Sequence, residues 1–366
     1  MTVTQSPPPP SSRAAPDESV EHSFLFTGSA REYFSIWIVN VALTIITLGF
    51  YSPWAKVRRE RYLMSHTELA GVQFEYTADP WKIFKGRLIL FAALIVITKA
   101  RAISWLWILI AVPLFALGWP WVISAALRFR ARYTSYRNLS FHFAGTAGEA
   151  FTRCVLPKVV AIMTLWLLAP WARLSSKRYA VNNLKYGVTS FKTPITLGQM
   201  YRVYAVAILL FVVGALIVIC GIATSGISSA MIKSGHISLA QLPRMAIASS
   251  VGLFGLGVIA WVPGYMRLGV ARRVWDNATI GSCVISCRAA MKRYFFISLT
   301  NTLLLLATLG FARPWCVIRV RRFILDNLAV VGPKNLDDFA GQARTEIRSV
   351  GEQAADVYDL DVDFGF

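Results

Sequence analysis

The feature that most constrains this chain is an internal repeat. Three apolar stretches of membrane-crossing length each end in Pro-Trp and continue into a cluster of Arg and Lys. The three pairs are Pro53-Trp54, Pro170-Trp171 and Pro314-Trp315. Aligned on these pairs, residues 24–66, 141–183 and 285–327 match without a gap. Because about 20 helical residues cross a hydrocarbon core of roughly 30 Å, the repeat predicts a membrane protein built from repeated helical units.

The composition points the same way. Apolar residues make up 55% of the chain and 12 residues are Trp, which is more apolar surface than a single core can bury. We therefore predict a mainly α polytopic membrane protein with about seven apolar helical segments, some of them re-entrant. The segments are residues 33–55, 88–98, 103–127, 154–172, 201–221, 245–265 and 294–311.

The net charge of +19 lies beside these apolar segments and not on a separate polar domain. Lys and Arg at helix ends mark the cytoplasmic face of a membrane protein, and they also attract anionic lipids. We therefore predict the lipid bilayer, including anionic lipids, as the partner, and we predict no nucleic-acid binding.

The repeat units open with extended chain. The pattern F-x-F-x-G-[ST]-A occurs at residues 24–30 and 141–147, at the same distance from Pro-Trp, with a looser relative at residues 74–78. Alternation of aromatic with small or polar residues, closed by Gly, is typical of a short strand and turn. We predict short β-strands in the cytoplasmic loops.

Composition divides the chain into three parts. Residues 1–22 form a Pro-rich tail without a signal peptide, and residues 333–366 form an acidic soluble tail. Between them, residues 23–332 form the membrane domain, in which paired-helix inserts near 72–137 and 188–277 separate the Pro-Trp units. We predict that both tails are cytoplasmic.

The distribution of charge bears on how often the chain crosses the membrane. If every segment crossed, the basic clusters would alternate between sides, against the positive-inside bias. The charges agree with that bias if the inserts are hairpins and each Pro-Trp segment enters and leaves from the cytoplasm. Asn40, Pro157 and Asn301 stand thirteen residues before each Pro and are poor in the middle of a spanning helix, so we expect re-entrant helices broken there. The alternative keeps seven ordinary spans, with Asn40 and Asn301 in interhelical hydrogen bonds.

Basic side chains after Pro-Trp are candidate lipid or anion contacts. One interpretation is that they snorkel to headgroups, and the other is a cytoplasmic ring that binds an anion or acidic lipid. The candidates are Arg58, Arg59, Arg61, Arg178 and Arg322.

Two acidic residues, Glu32 and Glu149, occupy the same position in the repeat. They are predicted either to form interfacial salt bridges with neighbouring Arg, which contribute little to stability, or to form an ion or proton site at the cytoplasmic mouth.

The sequence carries no enzyme signature. The four His are scattered, and no Gly-rich phosphate loop, G-x-S-x-G or H-E-x-x-H motif occurs. The five Cys lie in or beside apolar segments and form no Cys-x-x-Cys pair. We therefore predict a protein that is not an enzyme and holds no cofactor or metal.

The combination of F-x-F-x-G, then T-L-G-F-Y-S-P-W-A at residues 47–55, then Arg61-Tyr62, resembles the YjgN-like family of uncharacterised bacterial inner-membrane proteins. The resemblance covers residues 24–327. The middle copy departs at Leu168-Ala169 and the last at Cys316-Val317, which argues against a strictly symmetric site. The resemblance implies an integral, multi-pass protein of the bacterial inner (cytoplasmic) membrane and provides no catalytic residues.

Two functions are compatible with these observations. The first is a transport or channel-like protein, for which Asn40, Pro157 and Asn301 should cluster inside the bundle. The second is a non-transporting scaffold or anionic-lipid-interacting protein, for which the F-x-F segments should pair in a β-layer under the helices.

Overall fold

The chain runs five times through the order strand, helices, strand. The computed structural model describes residues 19–103, 106–225, 242–334, 341 and 345, and the backbone alone of residues 97, 100, 101–103 and 106–116. We call the five passages units 1 to 5, and they span residues 20–69, 72–136, 139–186, 189–280 and 283–332.

Each unit contributes its first and last segments as strands. They are β1 (Val20–Phe26), β2 (Thr67–Leu69), β3 (Val72–Tyr76), β4 (Thr134–Tyr136), β5 (Leu139–Phe143), β6 (Leu184–Tyr186), β7 (Thr189–Lys192), β8 (Ala278–Ile280), β9 (Cys283–Cys287) and β10 (Leu328–Gly332).

The helices lie between the two strands of a unit. They are α1 (Ala30–Ile46), α2 (Ser52–Ser65), α3 (Pro80–Ile103), α4 (Leu106–Arg132), α5 (Ala147–Ala150), α6 (Leu156–Met163), α7 (Ala169–Asn182), α8 (Leu197–Ser225), α9 (Leu242–Trp275), α10 (Met291–Ala307) and α11 (Arg313–Asp326). A π-helical turn, Phe151–Val155, joins α5 to α6.

The strands form one closed antiparallel barrel in the order β1-β10-β9-β8-β7-β6-β5-β4-β3-β2. Two-residue turns join consecutive units. Ala70-Gly71 and Arg137-Asn138 both have positive φ, which matches the twist of a tight hairpin. The first and last strands meet where Val20 pairs with Gly332, so closure leaves no exposed sheet edge.

Aromatic side chains fill the barrel. Alternate strand residues point inward, and the Phe74 ring stacks on Tyr136 with centroids 4.7 Å apart. The Tyr136 hydroxyl donates to the Leu69 carbonyl over 2.8 Å, and the Tyr186 hydroxyl donates to the Tyr136 carbonyl over 3.1 Å. Because buried hydroxyls are satisfied and the rings pack on one another, the barrel interior is a core and not a passage.

The prediction of helices with short strands is confirmed, but the strands are not loop elements. They close into the barrel that carries all the helices. The expected pairing between the F-x-F segments is wrong, because β1 pairs with β2 and β10 while β5 pairs with β4 and β6. The reason is that each strand pairs with the other strand of its own unit and with the nearest strand of the adjacent unit, so another strand always separates two F-x-F segments.

The three Pro-Trp segments are each divided by a sharp turn, so none is one continuous helix. The turn begins at Thr47, Thr164 or Thr308. The threonine hydroxyl oxygen accepts a hydrogen bond from the backbone N–H four residues on, at 2.9, 3.4 and 3.1 Å. The next residues, Leu48, Leu165 and Leu309, share a φ of 49°.

The predicted helix breaks at Asn40, Pro157 and Asn301 are wrong in position. Helix α1 continues through Asn40 and α10 through Asn301, while Pro157 lies in the first turn of α6. The chain reverses seven residues further on in each case. The Asn side chains are tolerated inside the helices because each hydrogen-bonds the returning helix, as described below.

The second and fourth units contain the long helices. Among the described residues, two helices, Leu197–Ser225 and Leu242–Trp275, are long and apolar enough by length and composition to cross a membrane. The count of seven segments therefore stays a prediction. Residues 1–18, most of the segment predicted as the acidic tail, and residues 226–241 lie outside the described residues. β1 begins at Val20, inside the range predicted as tail.

Candidate functional site: grooves at the Pro-Trp helices

Each Pro-Trp pair begins the helix that returns to the barrel. Pro53, Pro170 and Pro314 lie in the first turns of α2, α7 and α11. Backbone N–H groups in a first turn have no acceptor within the helix, so the missing N–H of Pro costs no helical hydrogen bond there. All three prolines are buried. The tryptophans that follow, Trp54, Trp171 and Trp315, are partly exposed near the turn.

Two of these helices border grooves made from the same positions. Groove 3, in unit 3, has a volume of about 300 Å³ and is lined by Thr152, Arg153, Trp171, Leu174, Ser175 and Arg178. Groove 5, in unit 5, has a volume of about 550 Å³ and includes the matching residues Phe296, Ile297, Trp315, Ile318, Arg319 and Arg322. Each groove therefore carries the Trp that follows Pro and the Arg eight residues past Pro.

Groove 5 is lined by three arginines, one more than groove 3. Arg319 stands where groove 3 has Ser175, and it donates from Nη1 to Thr300 Oγ1 over 2.7 Å and to Asn301 Oδ1 over 3.4 Å. The Arg293 guanidinium lies 5.9 Å from the centroid of the Phe323 ring. Asp326 is the acidic residue in the lining. The groove thus combines guanidinium groups with apolar walls.

The Arg at the base of each groove also ties adjacent units together. Arg322 donates from Nη2 to the Gly28 carbonyl over 3.1 Å, which joins unit 5 to unit 1. Arg178 donates in the same way to Ile195 over 2.6 Å, joining unit 3 to unit 4. Arg128 donates to Gly145 over 2.9 Å, joining unit 2 to unit 3.

These bonds show what the sequence analysis missed. An Arg stands six residues before the last strand of every unit, and the five are Arg61, Arg128, Arg178, Arg272 and Arg322. The signal was present in the sequence, because Pro120-Trp121 stands before Arg128 at the same distance as the other Pro-Trp pairs stand before their Arg. An alignment on three Pro-Trp pairs hid it, and unit 4 has Gly264-Tyr265 at that position.

The five arginines predicted as lipid or anion contacts therefore fall into two groups. Arg178 and Arg322 line the grooves and bond to backbone carbonyls. Arg58, Arg59 and Arg61 are exposed on α2, and Arg59 forms an ion pair with Glu60 at 2.7 Å.

Glu32 and Glu149 contact uncharged or weakly basic partners and not arginines. Glu32 Oε2 lies 3.0 Å from the Tyr62 hydroxyl and 3.8 Å from His66 Nε2. Glu149 Oε2 accepts from Asn183 Nδ2 over 3.0 Å. Their backbone N–H groups are capped by Ser29 and Thr146. The sequence pattern S/T-x-x-E could have revealed these helix starts.

Asn40 and Asn301 join the two helices of their own units. Asn40 Nδ2 donates to the Ala55 carbonyl and Asn301 Nδ2 to the Cys316 carbonyl, each over 3.5 Å. Pro157 is buried in unit 3. Within the described residues, no hydrogen bond joins one of these three positions to another. Hydrogen bonds therefore do not hold them together in the expected common site.

Within the described residues, no group of three or more His, Cys, Asp or Glu side chains could hold a metal ion. The five Cys are free, and four of them are buried. Burial raises the pKa of the Cys283 and Cys287 thiols, which keeps them protonated and poorly reactive at neutral pH.

Comparison with known proteins identifies relatives. A family model described as "Bacterial protein of unknown function (DUF898)" matches residues 21–357. The chain is 32% identical over 143 residues to "Inner membrane protein YjgN" of Escherichia coli O157:H7, covering 38% of this chain and 36% of that protein. It is 42% identical over 81 residues to the protein of the same name in Escherichia coli strain K12, covering 21% and 20%.

The resemblance to the YjgN-like family is thus confirmed, although the alignments span little more than a third of these relatives at most. No solved structure matches the chain.

Proposed function

The chain belongs to the DUF898 family of bacterial proteins, and from that premise we propose that it is an integral inner-membrane protein whose helical grooves bind anionic lipid. The inner-membrane location is supported by the names of its relatives and by the length and apolar composition of α8 and α9. The proposed role is binding and not catalysis.

The helical turns support a shallow insertion of the Pro-Trp units. Leu48, Leu165 and Leu309 are 90%, 89% and 89% exposed at the turns between paired helices. Apolar surface left in water costs about 25 cal/mol per Å², so lipid is the environment that stabilises these turns. The paired helices start and finish at neighbouring barrel strands, so each pair enters and leaves from one side.

We place the barrel on the cytoplasmic side. The basic residues that follow Pro-Trp lie on the helices that return to the barrel, in agreement with the positive-inside bias. Pairing of Val20 with Gly332 puts both tails at one end of the barrel. In this arrangement the long pairs α3 with α4 and α8 with α9 cross the bilayer.

One observation carries the lipid assignment: grooves 3 and 5 use the same six repeat positions, including a Trp near the turn and an Arg deeper in the unit. Trp prefers the membrane interface, and guanidinium binds phosphate through paired hydrogen bonds. The geometry therefore suits a lipid phosphate with its acyl chains toward the bilayer. Transport draws less support, because aromatic rings fill the barrel axis.

The test uses the purified full chain in neutral detergent, titrated with short-chain phosphatidylglycerol by calorimetry. Arg319→Ser gives groove 5 the residue that groove 3 carries, and we expect it to weaken binding about tenfold, since a hydrogen bond to a charged group contributes about 1.5–3 kcal/mol. Ser175→Arg makes the reverse change in groove 3 and should strengthen binding there.

Phosphatidylcholine of the same chain length is the control ligand, because it has the same shape without net charge. Its affinity should be the same in all three proteins. Equal phosphatidylglycerol affinity in the wild type and both variants would rule out the grooves as lipid sites.

A further inference from the structure

A second group of basic side chains lies at the helix end of the barrel, apart from the grooves. Lys177 on α7 and Arg321 on α11 stand seven residues past their prolines, and Glu60 on α2 has the same position in unit 1. Arg130, near the end of α4, completes the group. These four residues come from units 1, 2, 3 and 5.

Contacts of Arg321 place the group over the barrel interior. Arg321 Nη2 lies 3.5 Å from Thr67 Oγ1 and 3.9 Å from Met64 Sδ. Thr67 is a buried residue at the helix end of β2 and pairs with the buried Phe26. Arg321 therefore reaches from unit 5 across to the inward-facing end of a unit 1 strand.

Charges from other units act on Arg321. Burial lowers the pKa of Arg321, attraction by Glu60 raises it, and repulsion by Arg130 lowers it. Arg130 belongs to unit 2, which unit 1 separates from unit 5 around the barrel. Burial likewise lowers the pKa of Lys177, and repulsion by Arg173 and Arg130 adds to the effect.

The positive charge is not balanced by what surrounds it. Arg321 Nε is buried and has no hydrogen-bond partner among the described residues. Glu60, which attracts Arg321, is already bonded to Arg59 at 2.7 Å. A buried donor without an acceptor is destabilising, and like charges brought together in a partly buried site repel strongly. Arg130 is exposed and the side chains of Lys177 and Arg321 are partly exposed, so a solute can reach the group.

We propose that Arg130, Lys177 and Arg321 form an anion site at the helix end of the barrel, for an oxyanion of the phosphate class, either free or as a lipid headgroup. Arg321 supplies an uncommitted N–H donor, and Lys177 and Arg130 add positive charge from two other units. The site is separate from groove 5, whose Arg319 and Arg322 lie on another face of α11.

The test is a calorimetric titration of the full chain, purified in neutral detergent and phosphate-free buffer, with inorganic pyrophosphate. We expect the wild type to bind and Arg321→Gln to weaken binding about tenfold or more. Lys192→Gln is the matched control, because it removes one positive charge from the exposed side of β7 and should leave the affinity unchanged.

The unfolding temperature measured without ligand gives an independent test. Arg321→Gln and Lys177→Gln relieve repulsion, so their unfolding temperature should stay the same or rise while stabilisation by pyrophosphate is lost. A purely structural role for these side chains predicts the opposite, a fall without ligand. If Arg321→Gln does not fold, Lys177→Gln decides.

The source of the anion is separated by repeating the titration with short-chain phosphatidylglycerol. The wild type could bind this lipid and not pyrophosphate. If Lys177→Gln and Arg321→Gln then weaken lipid binding and Arg319→Ser does not, the result supports the site with a lipid headgroup as its ligand. Unchanged affinity of both variants for both ligands overturns the proposal, whatever the outcome for the grooves.

Discussion

At the residue scale, different side chains contact the backbone at the start of the first helix in the three Pro-Trp units. The Tyr62 hydroxyl accepts from the Ser29 N–H over 2.9 Å, and the Tyr179 hydroxyl donates to the Thr146 carbonyl over 2.9 Å. Phe323 holds that position in unit 5 and packs near Arg293 instead. The local backbone is therefore fixed by hydrogen bonds in two units and by an aromatic contact in the third.

The environment of Tyr179 predicts a pH dependence. Burial, with Cys154 and Glu149 nearby, raises the pKa of Tyr179 from 10.0 to about 12. The folded state then holds a proton that the unfolded state releases, so this contribution to stability is complete below pH 10 and is lost as the pH rises toward 12.

Alkaline titration of tyrosinate absorbance measures this directly. The difference between wild type and Tyr179→Phe should show one tyrosine ionising near pH 12, and the variant should lose less stability between pH 10 and 12. Ionisation of the missing tyrosine near pH 10 would contradict its burial.

At the element scale, the α8 and α9 pair depends on close backbone approach. A Cβ added at Gly221 would lie 2.8 Å from the Ala248 carbonyl oxygen and 2.8 Å from the Gly252 nitrogen. Small residues of this kind let membrane helices pack at short distance. By contrast, a Cβ at Gly257 on α9 meets nothing within 4 Å.

We therefore expect Gly221→Ala to destabilise the protein, because the methyl group must push the two helix backbones apart. Gly257→Ala is the matched control and should be neutral or stabilising by up to about 1 kcal/mol, the helix-propensity difference between Ala and Gly. Thermal unfolding in detergent gives both values, and equal loss in the two variants would show that helix packing is not the cause.

At the scale of the whole molecule, barrel closure holds the five units in a ring. Closure rests on β1 and β10, in which Glu21 pairs with Val331. Residue 331 in turn pairs with Val284 on β9, so Glu21 and Val284 lie two strands apart, or roughly 10 Å. The first and last strands thus complete the barrel.

A disulfide tests this closure. The double variant Glu21→Cys with Val331→Cys should form a cross-link under mild oxidation, because paired strand residues lie within disulfide reach. Glu21→Cys with Val284→Cys should not, since their Cα separation exceeds about 7 Å. Peptide mass spectrometry identifies the link, and a cross-link in the second variant alone would contradict the strand order.

Much of the local structure could be predicted from the sequence. The F-x-F alternation predicted strands and the apolar stretches predicted helices, because both patterns depend on residues close together in the chain. Pro-Trp was expected at the end of each apolar stretch, whereas Pro53 lies in the first turn of the returning helix α2. The expected breaks at Asn40 and Asn301 are not formed, and the amide nitrogen of each side chain instead donates to a carbonyl of the returning helix, fifteen residues on.

Helices, strands and the repeated Trp and Arg positions can thus be read from the chain alone, since periodicity and charge are local properties. The closure of the strands into a barrel, the chain reversal at Thr47 and its equivalents, and the bond from Arg322 to Gly28 are visible only in the folded molecule. These depend on contacts between residues far apart in the chain, which no local pattern specifies.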